Sequence, residues 1–294
     1  MAMRPDSSTL FSGLFGYPVR HSVSPQIHNA AFEAAGLNWV YLSFPVKPED
    51  LGKALGGSKA LGMVGLNVTI PHKEAIIPLL DELSDEAREI GAVNTVRFEK
   101  GRAKGYNTDG RGFAAALMEA AAFSFPGKTI LLLGAGGAGR AVAVQAAREG
   151  ACRIFISDLR KEKADGLKEW VNRRAGKNLA FTVNLEDSGG KMVLTESDLV
   201  VNATPLGLKA GDPLPFDPAP LPSSALVMDL VYNPPVTPLL EKARLLGLTG
   251  VGGMGMLVHQ AAFSWEIWTG LLAPVEVMRE AARSALRHGI AESE

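Results

Sequence analysis

Lys128-Thr129-Ile130-Leu131-Leu132-Leu133-Gly134-Ala135-Gly136-Gly137-Ala138-Gly139-Arg140 is the stretch on which the fold turns. Its first half is apolar without alternation, which is the pattern of a strand buried on both faces of a parallel sheet. Its second half places Gly134, Gly136 and Gly139 in Gly-x-Gly-x-x-Gly spacing. A helix is predicted to follow from Arg140 to Glu149, with Gly150 at its end. In that strand–turn–helix context each glycine has a task. The first permits a tight turn, the second lets the backbone approach a pyrophosphate, and the third allows close helix–strand packing. Amides at the helix start then face the phosphates. The expected contacts are Gly134, Ala135, Gly136, Gly137, Ala138 and Gly139.

Working outward, the next strand, Ile154 to Ser157, runs into Asp158. A carboxylate there suits the two ribose hydroxyls of NAD and repels the added phosphate of NADP. Arg160 and Lys161 follow and suit that phosphate instead. These residues alone leave NAD slightly ahead. Further strands are expected at Leu179 to Val183, Leu199 to Asn202, Ala225 to Leu230 and Thr249 to Val251. Gly252, Gly253 and Gly255 are candidates to let the backbone near the nicotinamide, with Met254 or Met256 packing on it.

On the other side, strands are predicted at Phe11 to Gly16, Trp39 to Val46 and Met63 to Ile70, the last stopped by Pro71. Ser24-Pro25 opens a helix that Gly36 ends, Ser24 serving as its cap. Another helix spans Pro48 to Leu61, and Val93 to Phe98 pairs with Ala103 to Tyr106 as a hairpin. A helix from Gly110 to about Ala122 leads into the glycine stretch. The tail holds helices from Met256 to about Thr269 and from Pro274 to about Arg287. It is expected to fold back on the first domain and close the cleft. The fold class is α/β with mostly parallel strands, in two domains with a cleft between them. An α/β substrate domain takes residues 1-110 and 251-294. A Rossmann-type, doubly wound dinucleotide domain takes residues 111-250.

The chain has 294 residues, 47% hydrophobic, enough to fill two cores. A net charge of −1 gives no electrostatic footprint for nucleic acid or an anionic membrane. No apolar run approaches a bilayer span, and Met1-Ala2-Met3-Arg4-Pro5-Asp6 lacks an apolar signal core, so a cytoplasmic location is expected. Cys152, the one cysteine, excludes an intramolecular disulfide and reads as a small buried hydrophobe. His21, His28, His72 and His259 do not stand at metal-ligand spacing, and no metal is expected. His72 is expected to face away from Lys73 if the strand continues.

Polar residues crowd the loops of the first domain. His21-Ser22-Val23-Ser24-Pro25 sets two hydroxyls at a helix start, which suits a carboxylate. Asn67 and Thr69 share a face of an extended segment, with Lys73 just beyond; together they suit a polyol. Asn94 adds an amide, and Asp109 adds a carboxylate at the domain hinge.

These residues carry a resemblance. Ser22-Val23-Ser24-Pro25, Asn67-Val68-Thr69-Ile70-Pro71-His72-Lys73, Gly91-Ala92-Val93-Asn94-Thr95 and Gly105-Tyr106-Asn107-Thr108-Asp109-Gly110 are similar to motifs of shikimate dehydrogenases. So are the glycine loop, Asn202-Ala203-Thr204-Pro205 and Asp229-Leu230-Val231-Tyr232-Asn233-Pro234. Gly255-Met256-Leu257-Val258-His259-Gln260-Ala261-Ala262 completes the set, in order over essentially the whole chain. The resemblance implies reversible reduction of 3-dehydroshikimate to shikimate, within aromatic amino-acid biosynthesis. It implies Lys73 and Asp109 as the catalytic pair. Ser22, Ser24 and Tyr232 would hold the substrate carboxylate, and Asn67, Thr69, Asn94, Asp109 and Gln260 the ring hydroxyls. Asp158, Arg160, Ala203, Thr204, Gly253 and Met256 join the glycine loop on the cofactor side. NADP(H) is the family's usual cofactor. Many members end the second Rossmann strand with Asn-Arg-Thr, which holds the 2′-phosphate; here Ser157-Asp158-Leu159 stands there, so NAD(H) use or dual use is open.

Lys73 is then either a general base or a charged group that stabilises developing alkoxide. Specificity comes from paired hydroxyls, and Ser at both 22 and 24 resembles the shikimate-preferring members. Three rivals stand beside this reading: an NAD-dependent quinate and shikimate dehydrogenase of catabolism, a non-catalytic nicotinamide-binding sensor, and a folate-type dehydrogenase sharing the cofactor domain. A sensor needs neither Lys73 nor Asp109, and a folate-type enzyme does not need the Ser-x-Ser turn. The expected partner is the small-molecule substrate, with a monomer or homodimer as the assembly.

Overall fold

The computed structural model describes residues 5–20 and 22–287. The readings made for Met1 to Arg4 and for His21 lie outside the described residues. The chain packs as two compact units, one reaching to Thr108 and resuming at Val258, the other Asp109–Leu257.

In the first unit, β1 (Leu10–Gly16), α1 (Ser24–Ala34), β2 (Trp39–Pro45), α2 (Leu51–Ala60) and β3 (Gly65–Val68) follow one another. Next come α3 (His72–Ala75), β4 (Glu82–Leu83), α4 (Asp85–Ile90), β5 (Thr95–Glu99) and β6 (Arg102–Tyr106). The sheet order is β2-β1-β3-β5-β6-β4. β1 pairs in parallel with β2 and β3, whereas β5 runs antiparallel to β3 and β6. The sheet is therefore mixed rather than mostly parallel. The cause is local: Lys100 (φ 49°) and Gly101 (φ 74°) form a two-residue turn with both centres left-handed, the geometry that closes a tight hairpin. Leu66, Val68, Val93 and Val96 pack with Leu51, Leu55 and Ile76 in the core below this sheet.

The sequence reading placed nothing between Pro71 and Val93, where α3, β4 and α4 lie. α4 carries ordinary signals: the Ser84 hydroxyl accepts from the Ala87 amide, and Gly91 ends the helix in the left-handed region at φ 71°. β3 ends at Val68, two residues short of the predicted Ile70, because Thr69 turns the chain and its carbonyl accepts from the His72 amide.

In the second unit α5 (Asp109–Ala121) precedes β7 (Thr129–Leu133), α6 (Gly137–Arg148), β8 (Arg153–Ser157), α7 (Lys161–Ala175) and β9 (Ala180–Thr182). Then come α8 (Ser188–Glu196), β10 (Leu199–Asn202), β11 (Leu226–Asp229), α9 (Pro238–Leu245), β12 (Thr249–Gly252) and α10 (Met254–Thr269). The sheet is wholly parallel, in the order β12-β11-β10-β7-β8-β9. β7, β10 and β11 are buried at every residue, as their unbroken apolar runs require. Strand order reverses between β7 and β10, so a crevice opens beyond their carboxyl ends, where ligands of such sheets bind. α10 from Val258 onward and α11 (Val275–Arg287) belong to the first unit, where α11 packs against α1.

Two readings need correction. Cys152 is exposed, not buried. It occupies the turn before β8, where its amide donates to the Lys128 carbonyl and the side chain points outward. α6 starts at Gly137, three residues before Arg140, so the last three residues of the glycine stretch are already helical.

The glycines of this stretch are not equivalent. A Cβ at Gly139 would overlap the Gly134 carbonyl oxygen, while a Cβ at Gly136 would have no neighbour within 4 Å. Gly139→Ala is therefore expected to lower unfolding free energy in urea by about 2 kcal/mol or more, through forced separation of α6 from β7. Gly136→Ala is expected to leave it within about 0.5 kcal/mol. Equal urea midpoints for the two variants would contradict this packing.

Candidate active site

The carboxyl end of β3 carries a highly connected polar group. Asn67 is buried, and its Oδ1 accepts from the Tyr41 hydroxyl at 2.8 Å. Its Nδ2 donates to Ser264 Oγ at 3.0 Å, Thr95 Oγ1 at 3.1 Å and the Asn94 carbonyl at 3.1 Å. Asn94 Oδ1 accepts from the Thr108 amide and from Thr95 Oγ1, both at 2.9 Å. Its Nδ2 donates to Thr108 Oγ1 at 2.9 Å and reaches Gln260 Oε1 at 3.4 Å. Ser264 and Thr108 both donate to the Gln260 carbonyl at 2.9 Å. Asn67, Asn94 and Gln260 are thus gathered into one network spanning β3, β5, the segment after β6, and α10. A network with each member paired fixes side-chain direction, because any rotation strands a buried donor or acceptor.

Thr69 follows Asn67. Its amide donates to the Phe15 carbonyl, and its hydroxyl has no hydrogen-bond partner among the described residues. Lys73 is half-buried in α3, with its carbonyl receiving the Val93 amide at 2.8 Å, which ties it to the segment that carries Asn94. The strand does not continue to His72; that residue turns into the core and, as the Nε2–H tautomer, donates to the Val46 carbonyl at 2.7 Å. Ser22 Oγ stands 3.1 Å from Ser24 Oγ and accepts from the Ser24 amide at 3.2 Å. Ser24 is thus the first helical residue rather than the cap, and no side chain caps α1. Both hydroxyls stay near the helix start.

Behind these groups lies an aromatic layer. His28 is fully buried, stacked on Tyr41 with ring centroids 4.4 Å apart and 5.2 Å from Trp268. Burial lowers His28 to about 3, opposed by a hydrogen bond with Asn67. Burial raises Tyr41 well above the usual phenol range, opposed by the Ser24 hydroxyl. A Cβ at Gly65 would overlap the Trp268 indole, whose Nε1 donates to the Val96 carbonyl at 3.0 Å. That glycine lets α10 lie close on the sheet.

In the second unit, Gly134 holds φ 96° and faces the Ala203 carbonyl, which a Cβ would approach to 2.8 Å. Gly136 is extended, and α6 begins immediately after it. The amides of Gly137, Ala138 and Gly139 fall in the first turn and have no intrahelical acceptor. With no Cβ-blocking atom near Gly136, the bare backbone and these amides form a cradle fitted to a pyrophosphate. Asp158, the candidate ribose ligand, also holds the loop: Oδ2 accepts from the Ala135 amide at 2.8 Å, and Oδ1 from the Arg160 amide at 2.9 Å. The remaining lone pairs stay available to hydroxyls. Arg160 is exposed just before α7, and Leu159 is fully exposed between them.

Ala203 donates its amide to the Leu133 carbonyl, and Thr204 is held by its amide and hydroxyl on Asn202 Oδ1. Tyr232 follows β11; burial raises its phenol above the ordinary value. Asp109 opens α5 and is buried. A Cβ at Gly253 would overlap the Leu230 carbonyl, so the close approach there serves strand–loop packing. Met256 is buried on α10. Among the described residues, no group of three or more His, Cys, Asp and Glu converges as a metal site.

Sequence reasoning missed Tyr41 and Ser264 and quoted Thr95 and Thr108 without a role. Ser264 had a signal, being a polar residue one helical turn after Gln260 in a mainly apolar helix. Tyr41 had none beyond being a tyrosine within a strand.

Residues 14–96 match the family described as shikimate dehydrogenase substrate binding domain, and 253–283 match the shikimate 5'-dehydrogenase C-terminal domain. Residues 130–209 match the saccharopine dehydrogenase NADP binding domain. A shikimate dehydrogenase (NADP(+)) of Methanopyrus kandleri is 49% identical over 288 residues, covering 96% of this chain and 98% of that protein. The chain belongs to the shikimate dehydrogenase family. A crystal structure of a shikimate dehydrogenase in complex with NADP+ superposes with a TM-score of 0.89 at 40% identity, over 97% of this chain and 98% of that one. The shikimate 5-dehydrogenase of Listeria monocytogenes, solved with shikimate and NAD, gives 0.89 at 36% identity, over 96% and 99%. In this shikimate dehydrogenase family member the matched substrate-domain segment contains Ser22, Ser24, Asn67, Thr69, Lys73 and Asn94.

Burial of His28 is expected to make the first unit acid-sensitive. An imidazole that is neutral in the fold at about 3 and ordinary near 6.5 when unfolded stabilises the fold fully above 6.5. Unfolded chains take up the proton first as pH falls, so stability is lost between 6.5 and about 3. The expected slope is at most about 1.4 kcal/mol per pH unit. His28→Phe should flatten the urea-stability profile in that window; an unchanged profile would remove His28 as the cause.

Proposed function

We propose that this chain catalyses the reversible reduction of 3-dehydroshikimate to shikimate with a nicotinamide dinucleotide, as a step of aromatic amino-acid biosynthesis. The observation that carries the reading is the buried Asn67–Asn94–Thr108–Gln260 network. It fixes amide groups in a unit whose residues 14–96 match the shikimate dehydrogenase substrate binding domain. The glycine cradle in the same chain supports the redox partner. Residues 1-110 and 251-294 then serve the substrate, and 111-250 the cofactor.

Ser22 and Ser24, with Tyr232, are assigned to the substrate carboxylate. Asn67, Thr69, Asn94, Asp109 and Gln260 are assigned to its ring hydroxyls. The amides of residues 134–139 hold the pyrophosphate, while Asp158 and Arg160 meet the adenosine ribose. Ala203, Thr204, Gly253 and Met256 line the path toward the nicotinamide. When bound, the reduced cofactor supplies the hydride that adds to the carbonyl carbon. Lys73 gives a proton to the carbonyl oxygen as its negative charge develops, and Asp109 supports that transfer. In the oxidative direction Lys73 takes the proton back. No helix among the described residues is long and apolar enough to cross a membrane. We place the enzyme in the cytoplasm as a monomer or homodimer.

Both cofactors are used in this reading. Asp158 offers its spare lone pairs to the ribose of NAD, and Arg160 and Lys161 offer charge to the phosphate of NADP. Initial rates with shikimate and quinate, each with NAD and NADP, test it. Shikimate turnover with either cofactor and weak quinate turnover is expected. Dominant quinate oxidation with NAD would move the chain to a catabolic role, and no turnover at all would leave a sensor. Lys73→Ala should lower kcat by about 10³-fold or more with little change in shikimate affinity. A near-normal kcat would remove Lys73 from proton transfer.

A further inference from the structure

Asp229 ends β11 as a fully buried carboxylate. Its Oδ1 accepts from Asn202 Nδ2 at 2.9 Å and from the Val231 amide at 3.1 Å. Its Oδ2 accepts from Thr237 Oγ1 at 2.6 Å. No basic side chain pairs with it among the described residues, and burial raises its carboxyl above the usual range. Burying a carboxylate is costly unless hydrogen bonds offset its desolvation, and the bonds that do so constrain their donors.

What it does is hold a neighbour. Asn202 ends β10 and spends its Nδ2 on Asp229 and on the Leu206 carbonyl at 3.1 Å. That leaves Asn202 Oδ1 facing the Thr204 amide at 3.1 Å and the Thr204 hydroxyl at 2.6 Å. Thr204 Oγ1 in turn accepts the Leu206 amide at 3.2 Å. The amide group of Asn202 can present its oxygen to Thr204 only while its nitrogen has acceptors on the other side. Asp229 is one of these, and the Leu206 carbonyl is the other. The turn 202–206 stands at the switch point of the sheet, next to Gly134, whose face abuts the Ala203 carbonyl.

We infer that Asp229 is a positioning residue for cofactor binding, acting through Asn202 to fix the Ala203-Thr204 turn. This rests on the nicotinamide-dinucleotide reading above. It also assigns to Asp229 and Asn202 a function that their burial in the strand ends would otherwise leave as packing.

The test titrates NADP+ and NAD+ into the substrate-free protein by calorimetry, and measures KM and kcat with shikimate on the same variants. Asn at 229 keeps an oxygen for Asn202 and gains an N–H that Thr237 Oγ1 can accept. Asp229→Asn is therefore expected to bind both cofactors within about threefold of the parent. Asp229→Ala leaves one N–H of Asn202 Nδ2 without its acceptor and is expected to weaken binding about tenfold or more, raising KM for cofactor while KM for shikimate holds. Asn202→Ala should show the same defect, and the double variant no further loss, because one relay is broken once. A folded Asp229→Ala protein with parental cofactor affinity would overturn the inference. So would additive losses in the double variant. If Asp229→Ala does not fold, Asn202→Ala carries the test alone, and parental affinity there overturns it. Failure of the parent to oxidise shikimate would sink the proposed reaction while leaving the cofactor titration able to judge Asp229.

Discussion

A polar side chain buried at the carboxyl end of a strand must find its hydrogen-bond partners inside the protein, because water no longer reaches it. Much of what positions function in this chain follows from that requirement. Asn67 lies near the end of β3 and is met by Tyr41, Thr95 and Ser264 from three other elements. Asn202 and Asp229 end β10 and β11 and are met by each other and by Thr204 and Thr237. Thr204 and Thr237 lie close in sequence to the residues they meet, but the partners of Asn67 and the Asn202–Asp229 pair join segments distant in sequence. The pairing therefore forms only when the sheet is assembled in its register.

The two sheets deliver these residues by different routes. The second unit is wholly parallel, so every strand from β7 to β12 points its carboxyl end the same way. Loops carrying Gly134, Asp158, Ala203 and Tyr232 then emerge on one edge as a direct result of topology. The first unit is mixed, and its antiparallel hairpin returns Thr95 to lie opposite Asn67 in the β3–β5 register. A tight Lys100-Gly101 turn closes the neighbouring β5–β6 hairpin. Helix α10 contributes Gln260, Ser264 and Trp268, residues one turn apart on a common face.

Close backbone approach is the second device. Gly134 and Gly139 bring the β7–α6 turn within contact of the Ala203 carbonyl and of itself, and Gly65 admits Trp268 over the sheet. In these places a methyl group would hold two elements apart. At Gly136 the reasoning reverses. Nothing in the protein fills the space its Cβ would take, so the absent side chain leaves bare backbone for a ligand.

The sequence by itself determined the α/β class, the glycine turn after β7, and most strands of the second unit. Periodicity and glycine spacing are local properties, and β7 and its loop are contiguous in the chain. It also marked Asn67 and Asn94 as functional candidates, since polar residues crowded into short loop motifs stand out without coordinates, and Gln260 entered through the resemblance. Only the tertiary structure decided that Asp158 already holds the glycine loop through the Ala135 amide, and that His72 turns into the core. It alone decided that α6 begins at Gly137, and it alone brought Tyr41 and Ser264 to Asn67. Those facts depend on which buried donor meets which acceptor across separations as long as 197 residues, and a linear chain carries no local sign of that pairing.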